Sequence, residues 1–202
     1  MDTLYTLKKH DVSQAGKMLT DAFQEDPVFN AAFANATLEQ RHTFFAIPVQ
    51  YSLKYGQVVA PSLQLEGVAA WVPGKYADMT LPRLILSGAF FTGLQMRMEV
   101  SKRMALSFRP TDQDRRAHMR GRDYLYLVII GVVPQYQGQG FGGQLLSALI
   151  AEGEQAGVPI YLETETEENV SIYEHFGFEV IQEITLPVVH LPMWEMVREP
   201  AV

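Results

Sequence analysis

Tyr124-Leu125-Tyr126-Leu127-Val128-Ile129-Ile130-Gly131-Val132-Val133-Pro134-Gln135-Tyr136-Gln137-Gly138-Gln139-Gly140-Phe141-Gly142-Gly143 is the stretch that decides the fold. Its apolar, largely β-branched and aromatic first half reads as a strand over 124–133. Pro134 cannot donate to a ladder, so the strand ends there. Beyond the glycines, Leu145, Leu146, Leu149 and Ile150 recur at helical spacing and predict a helix over 141–155, closed by Gly157. A strand that passes through a glycine-rich turn into a helix makes an anion site. Unpaired N–H groups point out of the helix start, the helix dipole favours negative charge there, and absent side chains let a phosphate reach the main chain. The loop holds no Lys, so peptide dipoles would do the neutralising. A pyrophosphate-bearing cofactor is the natural guest.

Gly138-x-Gly140-x-x-Gly143 also satisfies the dinucleotide fingerprint, with Glu163 at the end of the next apolar run. Against that reading, residues 134–137 separate the strand from the first glycine. The unit begins at Tyr124 rather than near the start of the chain. The stretch after Gly143 is also too short for the remaining strands of a doubly wound sheet.

A different pattern fits better. Residues 132–142 resemble the acyl-CoA signature of the GCN5-related N-acetyltransferases (GNAT), a strand ending in Val-x-Pro and then Gln/Arg-x-x-Gly-x-Gly/Ala. Asn169-Val170-Ser171-Ile172-Tyr173-Glu174-His175-Phe176-Gly177-Phe178 is similar to the later signature of the same family. The chain most resembles the puromycin N-acetyltransferase-like branch. Segments that carry this include Val68-Ala69-Ala70-Trp71, Leu162-Glu163-Thr164 and Trp194-x-Met196, together with His118. The resemblance implies an α/β fold with a mixed central sheet of six to seven strands, flanking helices and a helical insertion before the fourth strand. It implies one GNAT domain over 1–202, with an acyl-CoA-binding core at about 124–180 and the insertion at about 79–120. In the family a short hairpin commonly joins the third and fourth strands, so an insertion there would lie beside the acceptor pocket.

The resemblance further implies acetyl-CoA as acyl donor and a small-molecule amine as acceptor. Gln137, Gly138, Gln139, Gly140, Phe141, Gly142 and Gly143 would surround the pyrophosphate. Val132 and Val133 would offer main-chain hydrogen bonds to pantetheine and the acetyl carbonyl, and Asn169 would stand beside Tyr173 on the cofactor. Tyr173 would be the general acid, since a phenol of pKa about 10 can protonate a thiolate whose acid has a pKa of about 8.5–10. For the oxyanion, the Val133 N–H is the candidate donor. Glu163 is the candidate base and His118 its competitor; His175 belongs to another helix face than Tyr173. Glu165, Glu167 and Glu168 read as solvated loop acids that could draw a cationic amine. A catalytically silent acyl-CoA-binding module on the same fold, or a dinucleotide-binding protein, stay open as alternatives.

Composition narrows the field. With 202 residues, 48% of them apolar, the chain can bury a core of one domain. Its apolar runs are too short for a membrane span, and Met1-Asp2-Thr3-Leu4 shows no export signal, so cytoplasmic residence and no membrane contact are expected. There is no Cys, which excludes disulfides, thiolate metal sites and a Cys nucleophile; no metal is expected. A net charge of −7 argues against nucleic acid. Residues 97–122 nevertheless carry eight Lys/Arg against three acids, which reads as a solvated helix face, with attraction of an anionic cofactor or partner as the alternative. A homodimer stays open.

Periodicity and punctuation place the remaining elements. A strand is expected at 4–7, a helix at 11–23, and a helix at 38–55 bent near Pro48. A strand pair at 57–60 and 67–72 comes next, then two helices within 79–120. Strands at 158–163, 178–185 and 193–198 complete the set, the first parallel to 124–133 through a right-handed crossover. Phe44, Phe45, Phe90, Phe91 and Met96 read as core, the alternative being the lining of an apolar acceptor pocket.

Overall fold

The computed structural model describes residues 4–201; the expectation about residues 1–3 lies outside them. Seven strands form one sheet: β1 (Tyr5–Thr6), β2 (Gln57–Ala60), β3 (Gly67–Pro73), β4 (Leu125–Val132), β5 (Ile160–Thr164), β6 (Glu179–Thr185) and β7 (Pro192–Arg198). Their order is β1-β2-β3-β4-β5-β7-β6. Only β4 and β5 are parallel, joined through helix α7 (Phe141–Ala156) as expected from the crossover.

Helices cover both faces. Alongside α7, α8 (Glu167–His175) packs Tyr173 onto Leu145, Leu146, Leu149 and Phe178. Each of those three buried leucines contributes about 1.5–3 kcal/mol by leaving water. The other face carries α1 (Val12–Ala22) and α3 (Leu38–Tyr55), with Leu19, Phe45 and Val49 fully buried. Thr37 and Gln40 close a reciprocal cap at the start of α3, and the helix runs on through Pro48. Between α1 and α3 lies α2 (Pro27–Ala32), which the sequence pattern does not announce. Its six residues are too few to show a period, yet its start is written locally: Asp26 Oδ1 accepts the Phe29 N–H at 2.7 Å and Pro27 takes the first turn. Phe29 then meets Phe23 and Phe45, each at 5.0 Å between ring centres.

The insertion holds three helices rather than two: α4 (Leu81–Ser87), α5 (Ala89–Gly93) and α6 (Met98–His118). Gly88, left-handed at φ 82°, divides the first pair. Phe45 and Met96 join the core as expected, but Phe91 is 60% exposed. Val100 and Met104 fasten α6 to the core of the α1/α3 face, and Met119 just beyond it packs on Tyr161 and Val197. This long helix therefore crosses the face on which β4, β5 and β7 present their polar side chains.

Candidate active site

β4 and β5 pair only at Leu125↔Ile160 and Tyr126↔Tyr161. Beyond that point β4 stays with β3 and β5 stays with β7, so the two parallel strands part. The cause is visible in the β3–β4 ladder. Ala70 faces Ile129 and Trp71 faces Leu127, leaving Val128 with no partner. This bulge puts Val128 and Ile129 on the same face, both toward α3, and such an extra residue bends and twists its strand. A V-shaped gap opens between 127–132 and 162–164.

The bulge also decides which main-chain groups face the gap. Val133 donates its N–H to the Glu66 carbonyl at 3.0 Å, extending the β3–β4 ladder by one residue. The expectation that Val133 offers a free N–H is thereby corrected. In an antiparallel ladder the neighbouring residue turns its N–H and C=O the other way, so Val132 points its main chain into the gap. Its carbonyl accepts from Gln137 Nε2 at 3.2 Å, which ties the loop back to the strand end.

That loop is an exposed turn of 3-10 helix (Pro134–Tyr136) leading into glycines. Gln139 Nε2 donates to the Gln135 carbonyl at 3.1 Å. Gly138 and Gly140 are left-handed at φ 72° and 85°, and a Cβ at either would meet nothing within 4 Å. Gly140 precedes α7, which has no side-chain cap. The first helical bond is Gln144 N–H to Gly140, so Phe141, Gly142 and Gly143 present N–H groups without helical acceptors. Open space over a ring of amides fits a diphosphate. Gly143 has a second task, for a Cβ there would lie 3.3 Å from Phe176 of the α8 end.

Tyr173 reaches this region from α8. Thr166 caps the helix by accepting the Asn169 N–H at 3.2 Å. At its other end Gly177 adopts φ 82°, letting Phe178 N–H reach the Tyr173 carbonyl at 3.1 Å. Asn169 and Tyr173 are four apart and share a helix face. Tyr173 is buried, 5.6 Å from the Phe178 ring. Burial, and then the Glu165 carboxylate beside it, push its phenol above the ordinary value.

Glu163 stands on β5, half-buried, with Oε1 sealed from solvent and without a hydrogen-bond partner. Burial pushes its carboxyl up to about 8, against the pull of Arg115 and the Tyr126 hydroxyl. Glu165, one residue past β5, is not the solvated acid the sequence suggested. Burial and the nearby Asp26 carboxylate raise it well above the usual range, and Asp26 is itself raised by burial. Glu167 and Glu168 are exposed. His118 binds Gln182 Oε1 at 2.7 Å and lies 3.5 Å from Glu195 Oε2, so it serves the β6–β7 side rather than the gap. His175 is exposed.

Sequence reasoning also missed Arg115. Lys102, Arg109, Arg116 and Arg120 are solvated as expected, but Arg115 is 1% exposed. Its position in the turn facing Val100, Met104, Ser107 and Thr111, all buried, was the available signal. No group of three or more His, Asp or Glu suited to a metal occurs among the described residues, and no described helix is long and apolar enough to cross a membrane. A separate cavity of about 380 Å³, with Asn35, Arg97, Lys102 and Arg103 in its wall, shares no residue with the gap.

A family model for the acetyltransferase (GNAT) domain matches residues 108–180. An uncharacterized N-acetyltransferase of Schizosaccharomyces pombe is 32% identical over 201 residues, spanning 94% of this chain and 80% of that protein. The fold is shared with a crystal structure described as histone acetyltransferase HPA2 and related acetyltransferase from Corynebacterium glutamicum (TM-score 0.66, 20% identity, 99% of this chain and 97% of that one). It is also shared with a putative arylalkylamine N-acetyltransferase of Aedes aegypti (TM-score 0.68, 14% identity, 97% and 86%).

Proposed function

The chain belongs to the GNAT acetyltransferases, and on that premise we propose that it moves an acetyl group from acetyl-CoA to a primary amine of a small molecule, by direct attack within a ternary complex. One domain carries this, with an acyl-CoA-binding core at about 124–180 and an acceptor side built partly from the insertion at 79–120. The observation that carries the reading is the parting of β4 from β5 beside an uncapped helix start. It leaves main-chain donors, an open glycine turn and two titratable side chains around one gap.

Acetyl-CoA would supply the thioester, its diphosphate lying on the amides of 138–143. The Val132 N–H, aimed into the gap, takes the oxyanion role first assigned to Val133. Such a donor is worth on the order of 3 kcal/mol where negative charge develops. Glu163, ionised above about 8, accepts the proton of the attacking amine. Tyr173 keeps its proton throughout that range and donates it to the departing sulfur. Two groups whose environments leave one deprotonated and the other protonated suit a base and an acid. Asp26 and Glu165, two half-buried carboxylates near each other and both raised by burial, hold a proton readily, and a cationic amine on the acceptor side favours its loss.

Calorimetry with CoA, paired with thiol release from acetyl-CoA across a panel of small amines, tests this. Binding with release for at least one amine is expected. Binding without release across the panel would leave a silent acyl-CoA module, and no binding to folded protein would end the proposal.

A further inference from the structure

Arg115 is the largest fully buried side chain among the described residues. Its Nη2 donates to Asp78 Oδ1 at 2.9 Å and to Asp112 Oδ1 at 2.8 Å, and its Nη1 donates to the Tyr124 hydroxyl at 3.1 Å. The guanidinium carbon sits 4.8 Å over the ring of Tyr126. Its Nε has no partner. Taking a cation out of water is costly, and an apolar side chain of similar size would fasten a helix to a sheet at least as well. Asp78, just past the turn that ends β3, could also be held by the exposed Arg116, 3.0 Å away. Anchoring α6 alone thus leaves the stacking on Tyr126 unexplained.

Tyr126 is the residue at which β4 and β5 last touch. Its partner there is Tyr161, two residues before Glu163 and on the same side of β5, and burial, then the Glu163 carboxylate, push the Tyr126 hydroxyl well above its ordinary value. The groups around Glu163 are Tyr126 from β4, Arg115 and Asp112 from α6, Glu195 directly across on β7, and Tyr161 and Glu165 from its own chain segment. Behind Glu195 stand His118 and Asp114 of α6. In that company Arg115 is the cation that favours an ionised Glu163. A planar guanidinium locked by three partners holds a ring more rigidly than a lysine would.

We propose that Arg115, carried in by the helical insertion, is the positioning residue that fixes Tyr126 against Glu163 and so makes that carboxylate ready to take the acceptor's proton. The inference rests on Glu163 being the base, and it gives the insertion a part in the chemistry as well as in shaping the pocket. Arg115 touches neither acceptor nor donor; it acts through Tyr126.

The test is the pH profile of kcat/KM for Arg115→Met, Arg115→Lys, Tyr126→Phe and Glu163→Gln, taken with two acceptors of different amine pKa. The limb that does not track the acceptor belongs to the protein. Loss of a neighbouring cation raises a carboxyl by about one unit or more. The acidic limb should therefore move up from about 8 by about that amount in Arg115→Met, return part of the way in Arg115→Lys, and rise in Tyr126→Phe. CoA affinity by calorimetry should stay constant. If Glu163→Gln keeps the limb, the base assignment fails and this inference with it. If Glu163→Gln abolishes the limb while Arg115→Met and Tyr126→Phe leave it in place, the base stands and the positioning role is overturned. Should Arg115→Met not fold, an unshifted limb in Arg115→Lys and Tyr126→Phe overturns it equally.

Discussion

Replacing Gly140 by Ala isolates the claim on which the donor site depends. The residue has φ 85°, and a Cβ there would touch nothing within 4 Å, so packing adds no penalty. The cost is that of a left-handed alanine, about 1–2 kcal/mol. Gly121 is a matched control outside the loop, with φ 75° and equally open space around it. In a chain of this size each kcal/mol lowers Tm by about 2–4 °C, so both variants should melt about 2–8 °C below the parent. Their CoA binding should differ. In Gly140→Ala the methyl stands where the diphosphate approaches. If the free loop relaxes to avoid strain, binding must restore it, and about 1–2 kcal/mol corresponds to a Kd about 5–30-fold weaker. Gly121→Ala should bind CoA like the parent. Thermal melts and titration calorimetry on the three proteins settle the matter: equal CoA affinity in both variants, with both destabilised, would remove the glycine turn from the donor site.

The same geometry leads to three more expected outcomes. Tyr173→Phe should lower kcat by about ten- to a thousandfold while CoA affinity stays within about twofold; an unchanged kcat in steady-state assays would take Tyr173 out of the acid role. Glu165→Gln, which cannot ionise beside a bound cation, should raise KM for cationic acceptors about tenfold and leave KM for acetyl-CoA alone, whereas an equal KM for charged and neutral amines in parent and variant would deny the carboxylate pair this part. Glu195 is fully buried with neither oxygen hydrogen-bonded, and burial raises its pKa. The folded state therefore prefers it protonated, and its contribution is present at low pH and lost as pH rises through the folded value. Glu195→Gln, which mimics the protonated acid, should melt above the parent at pH 8 and lose that advantage below about pH 4; a gain independent of pH in melting curves would contradict this.

Local chemistry made part of the fold legible in the chain. Pro134 cannot continue a ladder, and Gly138, Gly140 and Gly177 take the left-handed state that other residues avoid, so the strand end, the loop and the end of α8 lie where the sequence placed them. The capping of α2 by Asp26 is equally local but too short to register as a period. Other features depend on partners distant in sequence. Glu165 looks like any loop acid until Asp26, carried by the α1–α2 connection, is folded near it. Arg115 looks like one more cation in a basic stretch until Asp78 and Tyr126 close around it. Charge counting along α6 cannot separate the buried Arg115 from the solvated Lys102, Arg109 and Arg116. Only the apolar periodicity of α6 could have done so.

The exchange of Val132 for Val133 shows why the finest layer of the site was out of reach. Which N–H faces a gap depends on strand parity, and one extra residue reverses parity for everything beyond it. Val128 is that residue. Nothing in its identity marks a bulge, since a valine between Leu127 and Ile129 suits a regular strand equally well. The parting also reflects competition: β4 is held by an antiparallel neighbour along its whole length, and β5 has another in β7. The parallel pairing between them is the weaker one per residue, so the strain of the twist is relieved there. The gap that would admit a thioester is therefore the place where the sheet gives way, and the insertion's Arg115, stacked on the last paired residue of β4, braces it at its apex.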